Sequence, residues 1–354
     1  MIHCHARLSA ALSATLLFLP ILLFFAPAKA QTLSVADIAG LSGSDRTQRL
    51  VEGAKKEGGL TLYSSVAPAE IAAILSGFEK TYGLKVNVWK GDSGDILQRT
   101  LTESRANRND VDVIETAGPD MEALHRENLL QKVSSPTLAD LIPGASPPHG
   151  EWVTSRMSVI VAAYNTNLIS KAQAPTSYDD LTDPKWKGKL GIEAYDSAVW
   201  LMGIARMRGE QNTIDLFRKI VATNGISLRR GHVAIANFVA SGDVPLALTA
   251  YRNNVNLLAD SGAPEQALVL PPLLALPSGI AVARQAPHPY SAVLFWDYFL
   301  TEGQRVLANQ ENVPSNRAVK EPPPDLVFIN SAQLLDDGDK WQKLFHDIFV
   351  EKGR

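Results

Sequence analysis

The sequence predicts an α/β chain in two lobes, each a mainly parallel sheet flanked by helices, with a hinge between them. Three observations lead there. Short apolar runs alternate with helix-period segments three times within about 70 residues after Gly59. Two longer apolar stretches, SVIVAAY at 158–164 and the run near 268–276, are suited to cross from one sheet to another. Between those crossings the strand-helix pattern resumes, so one region is flanked by two pieces of another. In such a layout a ligand sits in the cleft, at the carboxyl ends of the strands.

The first element is expected to be removed. His3, His5 and Arg7 give a weakly basic start, no charge follows from Leu8 to Ala26, and Ala28-Lys29-Ala30 supplies small residues for a peptidase. This is the pattern of a secretory signal peptide cleaved after Ala30, and its apolar core is too short for a retained anchor. Removing 30 of 354 residues leaves about 324, enough for two cores. The single cysteine, Cys4, leaves with the signal, so the mature chain has no disulfide and no thiolate metal site. That suits a bacterial periplasm. The 34 basic residues less Arg7 and Lys29 leave 32 against 37 acidic ones, a net charge of −5. Nothing in that balance draws the chain to nucleic acid or an anionic membrane.

Leu60–Tyr63 reads as a strand, and Pro68 opens a helix whose apolar positions run to Tyr82 before Gly83 ends it. Leu84, Val86 and Val88 alternate as a second strand, the turn GDSGD follows, and Ile96 to Ser104 line the next helix. Val111–Ile114 is a third strand, and Pro119 starts a third helix. Beyond the first crossing, helices are expected over 198–208, 213–223 and 232–240, with a strand over 244–248. A return strand at 279–284 precedes helices over 289–300 and 302–309, and a last helix near 339–350. The resulting division is 31–157 for the first part of lobe 1, 158–268 for lobe 2, and 269–354 for the return segment and C-terminal helices of lobe 1.

GDSGD, at 91–95, nearly spells the nucleophile loop of chymotrypsin-like proteases. The chain order fails: those enzymes run His, Asp, Ser, and the histidines upstream of Ser93 are His3 and His5, both in the signal. A hydrolase elbow needs glycine two residues after the serine, where Asp95 stands. A secreted α/β hydrolase using Ser93 with a later histidine is the alternative left by the letters. The competing reading is quieter. Ser93 and Gly94 lie between a strand end and a helix start, where unpaired backbone N–H groups can receive an anion, or where Ser93 or a neighbouring aspartate simply caps the helix.

Several segments in order carry a family resemblance: LTLYSS, DVIETAGPDMEAL, YNTNLI, APTSYDDLTDPKWKGKLGI, SGIAVARQAPHPYSAVLFWDYFLTEGQRVLA and NVPSNRAV. The chain resembles the extracellular solute-binding proteins of bacterial ABC importers, within the type 2 group that takes ferric ion, phosphonates or thiamine. The resemblance implies two lobes closing on a small-molecule solute, delivery to an inner-membrane ABC permease, and no enzymatic activity. Ferric members of this group typically hold the metal with adjacent tyrosines in the second lobe. Here Tyr251 is followed by Arg252, and YSSVAPAE after the first strand has neither histidine nor a second tyrosine. A ferric ion with a synergistic anion is therefore the alternative, and a small anionic or zwitterionic organic solute the main expectation.

The candidate ligand-binding residues follow from that expectation. Arg252 follows a strand, and Arg230 leads into a helix, each offering a planar fork for carboxylate or phosphonate. Ser64 and Ser65 follow the first strand, with Ser93 and Gly94 at the next turn. Asp196 and Ser197 hold the equivalent place in lobe 2, beside Tyr251 and its arginine. Glu115 either takes a ligand ammonium or pairs with an arginine. His125, His288 and His346 show no metal-ligand spacing, and there is no HExxH, CxxC, Walker loop or dinucleotide fingerprint. No cofactor and no nucleic-acid partner are expected, and the chain is expected to be a monomer.

Overall fold

The computed structural model describes residues 1–2, 33–194, 197–310 and 312–350. By its contacts the chain divides into Met1–Thr32 and Leu33–Arg354. The expected signal peptide and its cleavage point lie outside the described residues. Among those described, no helix is long and apolar enough to cross a membrane.

The chain order begins α1 Val35–Ala39, α2 Arg46–Glu57, β1 Gly59–Ser64, α3 Pro68–Tyr82, β2 Lys85–Lys90, α4 Ser93–Arg105, β3 Val113–Ala117, α5 Gly118–Arg126 and β4 Leu130–Gln131. It continues with β5 Val153–Asn165, β6 Leu190–Glu193, α6 Ala198–Arg208, α7 Glu210–Asn224, β7 Ser227–Arg229, α8 His232–Ser241, β8 Leu246–Tyr251, α9 Arg252–Asp260 and β9 Glu265–Leu268. It ends with β10 Leu273–Ala283, α10 Pro289–Tyr298, α11 Gln304–Asn309, β11 Val313–Pro314, β12 Leu326–Phe328 and α12 Ser331–Phe345.

The local chemistry explains the boundaries. Pro68 sits in the first turn of α3, where its missing N–H has no partner to lose. Gly83 closes that helix at φ 70°, a left-handed cap that a Cβ would strain. Ile71, Ile74 and Phe78 are buried along one side of the helix.

One mixed sheet runs in the order β2-β1-β3-β10-β5-β8-β6-β7. β1 pairs in parallel with β2 and β3, and β6 in parallel with β7 and β8. Between these parallel blocks lie the long strands β5 and β10, antiparallel to each other. β10 pairs antiparallel with β3, and β5 with β8. The two crossing strands read from the sequence are thus neighbours at the middle of the sheet.

Two large apolar cores follow from this plan, with a smaller third cluster around Ile235, Val239 and Val255 of α8 and α9. The first contains Phe78, Phe295 and Phe299 with Leu62 and Val113, and the second contains Trp200, Phe217, Phe345 and Phe349 with Ile192 and Leu248. In each, aromatic rings meet edge-on or tilted, as between Phe78 and Phe295 at 5.0 Å and Trp200 and Phe217 at 4.9 Å. β5 serves both: Val153, Met157 and Val159 pack in the first core, Ile160, Ala162 and Tyr164 in the second.

Two boundaries differ from the sequence reading, each for a physical reason. β5 begins at Val153 rather than at Ser158, because Thr154, Ser155 and Arg156 break the apolar run while still lying in the sheet. α12 begins at Ser331 rather than near Asp339, since the Asn330 side chain caps it by accepting from Gln333 N at 2.8 Å. Expected with lobe 1 from its place in the chain, α12 packs on both α5 and α6 and buries Trp341 and Phe345 in the second core.

Candidate functional site

The expected site residues fall into two groups, one on each flank of the β10–β5 pair. On the first flank, the end of β1 and the end of β3 lie side by side, with Ser64 opposite Glu115. Glu115 is fully buried. Its Oε2 accepts from Ser64 Oγ at 3.1 Å and Ser65 Oγ at 3.4 Å, and its Oε1 accepts from Ser155 Oγ at 3.1 Å. Arg156 Nε stands 3.5 Å from Oε1 as an ion-pair partner. A buried carboxylate costs several kcal/mol unless it is paired and hydrogen-bonded, and these three hydroxyls and one guanidinium meet that need. Of the two readings of Glu115, the contacts match pairing with an arginine.

The geometry behind this cluster is a bulge. Ser278 pairs with Arg156 and Gly279 with Thr154, so Ser155 is the extra residue on β5. A bulge re-aims side chains, and here Ser155 reaches Glu115 while its carbonyl accepts from Gln304. Ser315 Oγ donates to the adjacent Thr154 carbonyl. Ser64 is fixed twice more: Val66 N donates to its Oγ at 3.1 Å, and Gly91 N donates to its carbonyl at 3.4 Å. That last bond ties the GDSGD turn to the end of β1. Asp92 is the N-cap residue of α4 and makes no side-chain cap bond, Ser93 is the first helical residue, and Gly94 is exposed.

Tyr63, one residue before Ser64, belongs to the packing. Its ring is buried, and its hydroxyl donates to Glu103 at 2.8 Å and accepts from Arg99 Nε at 2.9 Å. The Arg99 guanidinium lies 4.8 Å from this ring's centre and 4.5 Å from that of Trp89. Burial, followed by the Glu103 carboxylate, pushes the phenol up to about 12.

On the second flank, Thr249 near the end of β8 is the organiser. Its Oγ1 accepts from Glu193 N at 3.0 Å and from Ser197 Oγ at 2.9 Å. Its carbonyl lies 3.2 Å from His232 Nδ1, which must carry the proton there because a carbonyl only accepts. That leaves His232 Nε2 facing Glu193 Oε2 at 4.0 Å. Glu193 is buried, and its Oε1 accepts from Gly231 N at 2.8 Å. Gly231 holds φ 91°, which lets the chain turn sharply into α8. The His232 ring stacks on Tyr251, with centroids 3.5 Å apart and planes 12° apart.

Arg252 is the first residue of α9 and lines a cavity of about 350 Å³ with Asn256, Val313, Lys320, Glu321, Pro322 and Pro323. Arg230 is exposed in the turn before Gly231. Asp196 lies outside the described residues. The structure thus gathers Ser64, Ser65 and Glu115 on one flank, and links Ser197 to Tyr251 through Thr249 and His232 on the other. Sequence reasoning missed Ser155, Arg156, Glu193, Thr249 and Lys320. Glu193 alone gave a readable signal, a carboxylate closing the short strand LGIE.

With this geometry in view, the comparisons define the class of protein. Residues 112–327 match the family model of bacterial extracellular solute-binding proteins, and the chain belongs to that family. It is 26% identical over 218 residues to an Fe(3+)-binding periplasmic protein of Serratia marcescens, an alignment covering 61% of this chain and 64% of that one, a little under two thirds of its length. It is 28% identical over 290 residues to a Salmonella typhimurium protein provisionally named as 2-aminoethylphosphonate-binding and periplasmic, covering 77% of this chain and 81% of that one. Its fold is that of iron-bound HitA from Pseudomonas aeruginosa, with TM-score 0.68, 24% identity, and coverage of 82% and 99% of the two chains. The family and these relatives are binding proteins rather than enzymes. Ser93 Oγ makes no hydrogen bond to a histidine among the described residues.

Proposed function

We propose that the protein is the periplasmic substrate-binding component of an ABC importer and captures a small anionic or zwitterionic organic solute. In this reading 31–157 and most of 269–350 form one lobe, 158–268 with α12 the other, and β5 and β10 the hinge. The chain is processed after Ala30, works as a monomer, and hands its solute to an inner-membrane permease. Ser64, Ser65, Ser93 and Gly94 meet the solute from one flank, and Ser197, Arg230, Tyr251 and Arg252 from the other. Glu115 and Arg156 hold the serines in place, and Asp196 completes the second flank.

The observation that carries this reading is Arg252, at the head of α9 beside a cavity that also has Lys320 and Asn256 in its wall. A guanidinium at a helix N-terminus is suited to carboxylate or phosphonate. The name of the Salmonella relative supports the same class of solute.

The second reading is a ferric ion with a synergistic anion, supported by the names of the Serratia relative and the Pseudomonas structure. Against it stand the residues. The position after Tyr251 is a cation, and Tyr63 keeps its proton, engaged by Glu103 and Arg99. A thermal-shift screen against 2-aminoethylphosphonate, simple carboxylates, amino acids and ferric citrate tests the choice. A ligand at a hundred times its Kd adds about 2.7 kcal/mol. Stabilisation by the phosphonate or a carboxylate is expected, and stabilisation by Fe³⁺ with a tyrosinate colour would reverse the preference.

A further inference from the structure

Away from the cleft, two histidines and two carboxylates meet where the C-terminal end of α5 faces the segment leading into β5. The His125 and His149 rings lie face to face, centroids 3.6 Å apart and planes 8° apart. His125 Nδ1 is 2.7 Å from Glu151 Oε2. His149 Nε2 is 3.1 Å from Glu122 Oε1, and Trp152 Nε1 donates to the same oxygen at 3.1 Å. Glu151 N donates to His149 Nδ1 at 3.1 Å, which fixes the tautomer: Nδ1 accepts, and Nε2 carries the proton to Glu122. Arg284 donates to the other oxygen of Glu151 at 2.7 Å.

We propose that His125, His149 and Glu151 form a binding site for a borderline divalent ion of the zinc class, separate from the solute cleft. One donor atom from each lies within 4.8 Å of the others. Zinc–ligand bonds of about 2.1 Å require donors roughly 3.4 Å apart, so a contraction of little more than an ångström at the widest pair closes the set. Two imidazoles and one carboxylate with a fourth position for water match the ligand chemistry of zinc.

The surroundings resemble a finished site. A metal-bound histidine ordinarily gives its other N–H to a carboxylate, which raises its basicity and fixes its orientation. His149 does this with Glu122, itself held by Trp152. Glu151 has one oxygen anchored by Arg284, leaving Oε2 to bind. The ion would replace the proton between His125 Nδ1 and Glu151, and the Glu151 amide would turn to water. His125, the most exposed of the three ligands, tilts out of the stack so that both lone pairs converge. A cavity of about 710 Å³ borders the cluster on the side of Glu122 and His149.

The ligands sit at 125, 149 and 151, a spacing that matches no zinc motif, so the site arises only when α5 folds against the loop. Its ion joins α5 to the foot of β5, and binding should show as added stability.

Titration calorimetry of the purified protein with Zn²⁺ alone, beside Mg²⁺ as a control, tests this. One Zn²⁺ per chain is expected, with a raised Tm and no response to Mg²⁺. H125A and H149A should each weaken Zn²⁺ at least tenfold. E122Q, which touches no metal, should weaken it about 10- to 100-fold. All three should retain solute binding, which keeps this result distinct from that of the cleft. Co²⁺ in the unmutated protein should give the visible absorption of a tetrahedral N/O site, a readout independent of whether the variants fold. Zn²⁺ binding that survives the H125A/H149A double substitution, or no Zn²⁺ binding by the unmutated protein, overturns the proposal.

Discussion

At the scale of single residues, Glu115 is held by its neighbours and Arg252 is the proposed anion contact. Glu115 is buried and surrounded by donors, so its removal strands three hydroxyls and a guanidinium. Breaking a buried ion pair typically costs about 3–5 kcal/mol. Glu115→Ala should lower the unfolding free energy by an amount in that range, read from urea denaturation as a lower midpoint at unchanged slope, whereas Ser93→Ala should leave it nearly unchanged. On the proposed function, Arg252→Ala should cost about 1.5–3 kcal/mol of solute binding, the usual worth of hydrogen bonds to a charged group, read as a rise in Kd by calorimetry. The letters suggested Arg252 because it follows an apolar strand. They did not reveal Arg156, because a charged residue inside a crossing strand looks like a loop until its partner Glu115, 41 positions earlier, is placed beside it.

At the scale of elements, strands that open on an apolar run were legible, and a strand that opens on polar residues was not. β1, β3 and β8 read as apolar runs ending in turns. β5 did not, since its first residues serve Glu115, Gln304 and Ser315. β9 holds another buried carboxyl, without the donors that surround Glu115. Glu265 is buried opposite Asn165, and neither of its oxygens has a hydrogen-bond partner. Burial pushes its pKa up to about 7. Between the ordinary carboxyl range and about 7, the folded protein therefore binds one proton more than the unfolded chain. Stability from this group is complete at low pH and declines as pH rises through that window. Glu265→Gln should flatten the decline, giving a higher Tm than the parent at pH 8 and nearly the same Tm at pH 4, followed by thermal denaturation.

At the scale of the whole molecule, the sheet provides the two flanks that the proposed function requires. Two parallel blocks, each ending in hydroxyls, carboxylates or arginines, are joined through β10 and β5. Each block has its own apolar core, so each can move as a body while the two shared strands bend. α12, grouped with lobe 1 from chain order, packs on both α5 and α6 and sends its aromatic side chains into the second core. The identity of the solute was not legible, since it depends on where strand-end side chains converge. The most direct test of the central claim is small-angle X-ray scattering with and without a saturating solute from the thermal screen. Hinged capture predicts a smaller radius of gyration in the bound state, and a bound state scattering identically to the free protein would contradict it.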